Sequence, residues 1–312
     1  MSDTLNIKQR SLFSEILILI KHRLSLSVVF SSVASYLIAF EVFSLYTLML
    51  LIFGGFFVVG ASNGFNQIIE RKRDALMIRT QNRPLPTGGL SVSQAILVCV
   101  ILSFLGLFIL YIINFRTAFF GFISMIIYLA LYTPLKPITP LSVFFGAIPG
   151  AIPFMLGWVA VTNKFSIETG ILFMIQFFWQ FPHFWAIGWV SHDDYLKGGF
   201  KMLPSGKRDN STAFQIVFYT IWMILISTLP YFSFTGDLSI GLYSLVLILA
   251  SGLFMLFQAI RLMKYKDKQN AIRLMYTSIF YLSFIQIITS LSAVFLLVLL
   301  QLGCVFSHLL LL

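Results

Sequence analysis

Tyr46-Thr-Leu-Met-Leu-Leu-Ile-Phe-Gly-Gly-Phe-Phe-Val-Val-Gly-Ala-Ser-Asn63-Gly-Phe-Asn66-Gln-Ile-Ile-Glu70-Arg-Lys-Arg-Asp74 is the stretch on which the reading turns. Residues 46–69 carry no charge, and about 20 apolar residues suffice for a helix to cross a bilayer. With no water to satisfy exposed amides and carbonyls, a helix is the natural spanning form for so long a run. Comparable runs stand at 24–40, 93–113, 117–132, 141–161, 169–190, 213–233, 237–260 and 276–300. They are long and continuous, unlike the short alternating strands of a membrane barrel. The expected fold class is an all-α polytopic membrane protein with nine transmembrane helices. Residues 1–23 form a cytoplasmic N-terminal segment, 24–300 one transmembrane domain and 301–312 a C-terminal tail.

The composition agrees. Of 312 residues, 59% are hydrophobic and 10% charged, where a soluble domain carries about 25% charged residues. An ordinary cytosolic enzyme, a disordered chain and a DNA-binding module are excluded, so the net charge of +10 does not signal a nucleic-acid partner. The partner it implies is the lipid bilayer. With nine helices, 19 of the 21 Lys and Arg fall on one side, leaving only Arg116 and Lys164 on the other. The positive-inside rule places the N-terminus in the cytoplasm and the C-terminus outside. No cleavable signal pattern opens the chain, and the first span serves as its insertion signal. Cys99 and Cys304 lie far apart in apolar surroundings, so no disulfide framework is expected. Gly146, Pro149, Gly150, Pro153 and Gly157 suggest a kinked, closely packed fifth helix.

Two cytoplasmic loops, 70–92 and 191–212, exceed a tight connection and mix carboxylates with cations. In the first, Asn66, Glu70 and Asp74 are spaced i, i+4, i+8. On a helix that keeps three oxygen ligands within roughly 80° of one face. An amide with two carboxylates suits Mg²⁺, which binds through one or two carboxylates plus substrate phosphates. Arg79 and Arg83 follow, supplying the fixed charge and forked hydrogen bonds a diphosphate needs. A charge run after a membrane helix is usually a solvated, topology-setting loop. This ladder begins inside the apolar helix end, where polar residues are functional candidates. In the second loop Asp193 and Asp194 offer a further metal-binding edge, and Lys197 and Lys201 could neutralise phosphate. Two acidic clusters on one face suggest two Mg²⁺ ions holding one diphosphate, whose departure leaves an allylic cation in an apolar cavity.

Asn66-x3-Glu70-x3-Asp74-x2-Met77-x-Arg79-Thr80-x2-Arg83-x4-Gly88 resembles the signature of the UbiA-type intramembrane prenyltransferases, and Tyr132-Thr-Pro-Leu-Lys136 is similar to a YxxxK element of that family. Arg79–Leu85, Gly146–Pro153, Trp179-Gln-Phe-Pro-His183-Phe-Trp185 and Asp193-Asp-Tyr195…Met202-Leu-Pro204 resemble its haem-prenylating branch. The resemblance covers about residues 20–300 and departs at Arg73, usually apolar, and at Lys197, where the wider superfamily has a second Asp. It implies a helical bundle around a central cavity. Farnesyl diphosphate would be donor, with Mg²⁺ bound to it, and protohaem IX (haem B) would be acceptor substrate rather than cofactor. The product, haem O, would serve terminal oxidases, with haem A synthase or oxidase assembly factors as partners in a bacterial inner membrane.

The site residues then take roles. Asn66, Glu70 and Asp74, with Asp193 or Asp194, would hold metal. Arg79, Arg83, Lys136, Lys197 and Lys201 would hold diphosphate oxygens. Tyr132 either shields a cation with its π face or anchors the membrane interface. His183, beside Trp179, is either a hydrogen-bonded packing residue or a haem contact, imidazole being an ordinary iron ligand. Two alternatives stand beside this: a UbiA-type enzyme acting on an aromatic or quinone precursor, and a secondary transporter, which would place its charges nearer the midplane.

Overall fold

The computed structural model describes residues 10–40, 42–232 and 234–309, with side chains through Val294. Residues 1–9 of the expected N-terminal segment and 310–312 of the expected tail lie outside the described residues, as does the Cys304 side chain. The long helices are α2 (His22–Ala39), α3 (Leu45–Asp74), α5 (Val92–Ile113), α6 (Phe115–Ile126), α8 (Ser142–Thr162), α9 (Ile167–Val190), α11 (Asn210–Thr228), α12 (Leu242–Tyr265) and α13 (Lys268–Leu309). Short helices lie between them: α1 (Leu12–Leu19), α4 (Pro84–Thr87), α7 (Thr133–Leu135) and α10 (His192–Lys197). No strand occurs among the described residues.

Each expected apolar run contains a helix, although residues 237–241 of the run 237–260 precede α12 and are not helical. Eight helical stretches are long and apolar enough to cross a membrane. The exception, α9, has 24 residues. Its Glu168, Gln176, Gln180 and His183 dilute its apolar character, and three of them are spent on partners inside the bundle. α1 lies outside every expected span; it is capped by Ser11 and ends where Lys21, at φ 46°, turns the chain into α2.

Helix ends follow local chemistry. Ser44 accepts from the Thr47 amide at 3.2 Å, Ser91 and Gln94 form a reciprocal capping box, and Asp209 accepts from the Thr212 amide at 2.9 Å. The helices close a ring, with α2 against α3, α3 against α5, α5 against α6, α6 against α8, α8 against α9, α9 against α11, α11 against α12, α12 against α13 and α13 back against α2. Contacts of α8 with α2 and of α9 with α13 pull α8 and α9 inward. In lipid no hydrophobic force drives helices together, so close approach and internal hydrogen bonds must. At Gly157 a Cβ would collide with the Ser32 carbonyl and the Tyr36 amide, so glycine is what lets α8 touch the α2 backbone. Pro153 has no N–H to offer the Pro149 carbonyl, and the Ser124 hydroxyl donates to it instead at 3.3 Å. Gln176 and Gln180 donate to the Gly150 and Ala147 carbonyls at 2.8 and 2.9 Å.

The expected span 117–132 is not one α-helix. Residues Ile127–Tyr132 form a π-helix between α6 and α7. Such widened turns occur often at functional sites. Thr133, before Pro134, donates to the Tyr128 carbonyl five residues back, at 2.8 Å.

Candidate active site

A cavity of about 730 Å³ opens inside the bundle at the end where α3 and α9 finish. Asn66, Glu70 and Asp74 occupy the last three turns of α3, all line the cavity, and none is more than 5% exposed. The i, i+4 spacing gives them one face, as the sequence demands. Asn66 is fixed by donating to the Thr133 hydroxyl at 3.1 Å. The Glu70 carboxylate lies 2.9 Å from the Lys136 ammonium. Asp74 Oδ2 accepts from Arg83 at 2.7 Å, whereas Asp74 Oδ1 has no hydrogen-bond partner among the described residues.

Buried charges are tolerable only when paired and hydrogen-bonded, and cations face these acids. Burial alone would lower the Lys136 pKa, but the adjoining Glu70 carboxylate outweighs it and the net shift is upward. Lys136 therefore remains an ammonium. It also sits 4.3 Å from the Tyr132 ring centroid. Tyr132 is buried and lines the cavity rather than the lipid interface, and a Cβ at Gly146 would stand 2.6 Å from its ring. Across the π-helix Tyr128 pairs with Tyr132 at 5.1 Å between centroids, giving the cavity two adjacent phenol rings.

The second loop is fastened onto the first. Arg73 donates to the Gly198 carbonyl at 2.8 Å and lies over the Phe200 ring. Asp194 accepts from the Ile78 and Arg79 amides at 2.8 and 3.1 Å. Arg79 reaches the Tyr195 hydroxyl at 3.3 Å, and the Lys201 amide donates to the Lys136 carbonyl at 2.8 Å. These bonds bring Tyr195, Phe200 and Met202 into the cavity wall. Arg79 and Arg83 line the cavity as well, while Asp193, Asp194, Lys197 and Lys201 are not part of its wall. Asp193 is exposed and paired with Arg208 at 3.1 Å. Lys197 and Lys201 are exposed.

About two turns inside the end of α9, His183 and Trp179 stack at 4.5 Å between ring centroids, and both line the cavity. Trp179 donates to the Ser278 carbonyl at 2.6 Å. The Ser278 hydroxyl gives its proton to the Met275 carbonyl at 2.7 Å, so it accepts from His183 Nδ1 at 2.8 Å. That assignment puts the ring proton on Nδ1 and leaves Nε2 with its lone pair.

Lys21 also lines the cavity, although its sequence context is that of a topology-setting charge. Burial, then the neighbouring Arg83 and Lys136 cations, bring its ammonium down to about 7. Tyr128, four residues before Tyr132, could have been read from that spacing. Phe200 could not, because only loop docking brings it in.

The pattern of the UbiA prenyltransferase family matches residues 27–285. The chain is 56% identical over 278 residues to the protoheme IX farnesyltransferase of Christiangramia forsetii, covering 89% of this chain and 93% of that one. Among solved structures it is similar to one from work on digeranylgeranylglyceryl phosphate synthase, with a TM-score of 0.75 at 21% identity over 90% of this chain and 98% of that chain. It is also similar to a UbiA homologue from Archaeoglobus fulgidus bound to GPP and Mg²⁺, with a TM-score of 0.66 at 16% identity over 88% and 99%. Those two likenesses concern the fold. The family pattern, the close relative and the carboxylate ladder at the cavity mouth agree, and the chain is an integral, multi-pass membrane enzyme that belongs to the UbiA prenyltransferase family.

Proposed function

We propose that this enzyme transfers the farnesyl group of farnesyl diphosphate to a vinyl carbon of protohaem IX. The C1–O bond of the donor breaks and its electron pair leaves with diphosphate. The vinyl π electrons form the new C–C bond, and water captures the resulting cation and loses a proton. Haem O and diphosphate result. The observation that carries the reading is the buried ladder Asn66, Glu70, Asp74 facing Arg79, Arg83 and Lys136 across one cavity mouth. The name of the 56% identical relative supports the haem acceptor.

Mg²⁺ fits this donor set. Asp74 Oδ1 is buried without a partner among the described residues, and Asn66 and Glu70 line the same cavity. An ion held here would complete its shell with substrate phosphate and water, as Mg²⁺ prefers. That a homologue of the same fold was bound to GPP and Mg²⁺ supports a prenyl diphosphate and Mg²⁺ as ligands. When bound, the metal supplies positive charge against the departing diphosphate. The remaining roles belong to the chain. Arg83 and Arg79 fork onto phosphate oxygens, and Lys136, held protonated by Glu70, adds a third cation. Tyr128 and Tyr132 present ring faces to the allylic cation. Trp179 and His183 form the acceptor wall, with His183 Nε2 free to meet the haem iron. Asp193, Asp194, Lys197 and Lys201 act through the loop rather than on the substrate. The same proposal includes a cytoplasmic N-terminus, a bacterial inner membrane and supply of haem to oxidase maturation.

The test is an assay of the purified chain with farnesyl diphosphate, Mg²⁺ and haem. Diphosphate release that requires haem is expected; release without haem, or none, overturns the haem acceptor. His183→Ala with unchanged haem affinity and turnover would remove that contact.

A further inference from the structure

Beside the main cavity lies a second concavity of about 420 Å³, whose polar wall includes Arg10, Lys21, His22, Arg23, Arg79 and Arg83. Among the described residues no carboxylate lines it. It shares Lys21, Leu24, Arg79 and Arg83 with the main cavity, so the two are neighbours across one wall of cations. Topology accounts for cations on this side of a membrane protein, but it does not require them to converge on a hollow. Mutual repulsion opposes such convergence except where a counter-charge answers it, as Asp74 answers Arg83 at 2.7 Å. Arg10 is partly answered, by Glu15 at 3.8 Å and the Asn82 carbonyl at 3.0 Å. Arg23 and Lys21 have no ion pair or side-chain hydrogen bond among the described residues.

We propose that this hollow is a second anion site, a basic vestibule that takes a phosphorylated anion and does not need the metal. Its chemistry is that of phosphate oxygens met by guanidinium forks and an ammonium. Two sources carry that chemistry: diphosphate passing to or from the main cavity, and the phosphate headgroup of an anionic lipid. Continuity through Lys21, Arg79 and Arg83 makes the vestibule a waypoint for either. The assignment concerns anion binding alone and does not depend on the acceptor.

The experiment is equilibrium binding of radiolabelled inorganic diphosphate to the full chain in EDTA, in detergent and in zwitterionic nanodiscs. Wild type is expected to bind, and Arg23→Gln to weaken binding on the order of tenfold, the worth of one charged hydrogen-bond partner. The Arg10→Gln, Arg23→Gln double variant should lose it, and Arg23→Gln alone serves if the double variant does not fold. Nanodiscs containing anionic lipid separate the sources. Displacement of diphosphate identifies a headgroup site, and undiminished binding a free-phosphate site. Equal binding by wild type and Arg23→Gln, or no binding in EDTA and no effect of anionic lipid, overturns the vestibule. A chain that binds in EDTA but makes no haem O overturns only the preceding proposal. One that makes haem O without binding in EDTA overturns only this one.

Discussion

The chain has two acidic clusters that look alike in sequence and are used differently in space. Glu70 and Asp74 close α3, are buried in the cavity wall, and face Lys136 and Arg83 at 2.9 and 2.7 Å. Asp193 and Asp194 open α10 and stand outside that wall, with the Asp193 side chain 77% exposed and Asp194 spent on two backbone amides. A buried carboxylate oxygen without a partner, on a residue that lines a cavity, has capacity left for a ligand. A carboxylate whose oxygens are already filled by the chain is a fastener. In the proposed function this difference gives the first cluster the chemistry and makes Asp194 a fastener of the loop.

Substitutions can break that comparison, beginning with the largest effect. Asp74→Ala leaves the half-buried Arg83 without its carboxylate and removes the unpartnered oxygen. Breaking a buried pair costs stability, about 3–5 kcal/mol; separately, loss of one preorganised electrostatic partner should lower turnover by about 10²- to 10³-fold, measured as haem-dependent diphosphate release beside thermal stability. Asp194→Asn keeps one acceptor and loses one charge-assisted bond, worth about 1.5–3 kcal/mol. Stability should fall by about that amount, and activity should drop less than in Asp74→Ala, with the Mg²⁺ dependence unchanged. A shifted Mg²⁺ requirement would make Asp194 a metal ligand and erase the distinction.

Smaller effects sharpen it. Lys21 titrates near about 7, so the free site loses this charge as pH rises through that value. Affinity for farnesyl diphosphate should therefore decline by several-fold, and at most about tenfold per pH unit for one proton, between pH 7 and 8.5. Lys21→Arg, which stays charged, should flatten the decline; an identical profile would take Lys21 out of the site. Asp193→Asn breaks only an exposed ion pair with Arg208, a class worth about 0–1 kcal/mol. Turnover should stay within about threefold of wild type.

The helices were legible because their apolar runs are long, and the ladder because its spacing survives folding: Asn66, Glu70 and Asp74 belong to one helix face. What was not legible depends on contacts distant in sequence. Nothing local says that Asp194 will cap the amides of residues 78 and 79, over a hundred positions away. Lys21 reads as a topology charge until the turn at φ 46° brings it to the cavity. The π-helix before Tyr132 leaves no signature that periodicity detects, because it inserts one residue into an otherwise regular run. Arg73, odd for its motif position, is explained by its bond to the Gly198 carbonyl and its place over Phe200.

The most direct test of the central claim is a mass spectrum of the haem pigments from cells expressing the wild-type chain or Asp74→Ala. The account predicts haem carrying a hydroxyethylfarnesyl group in the first and unmodified protohaem in the second. Modified haem in both, or in neither while another molecule acquires the prenyl group, would contradict it.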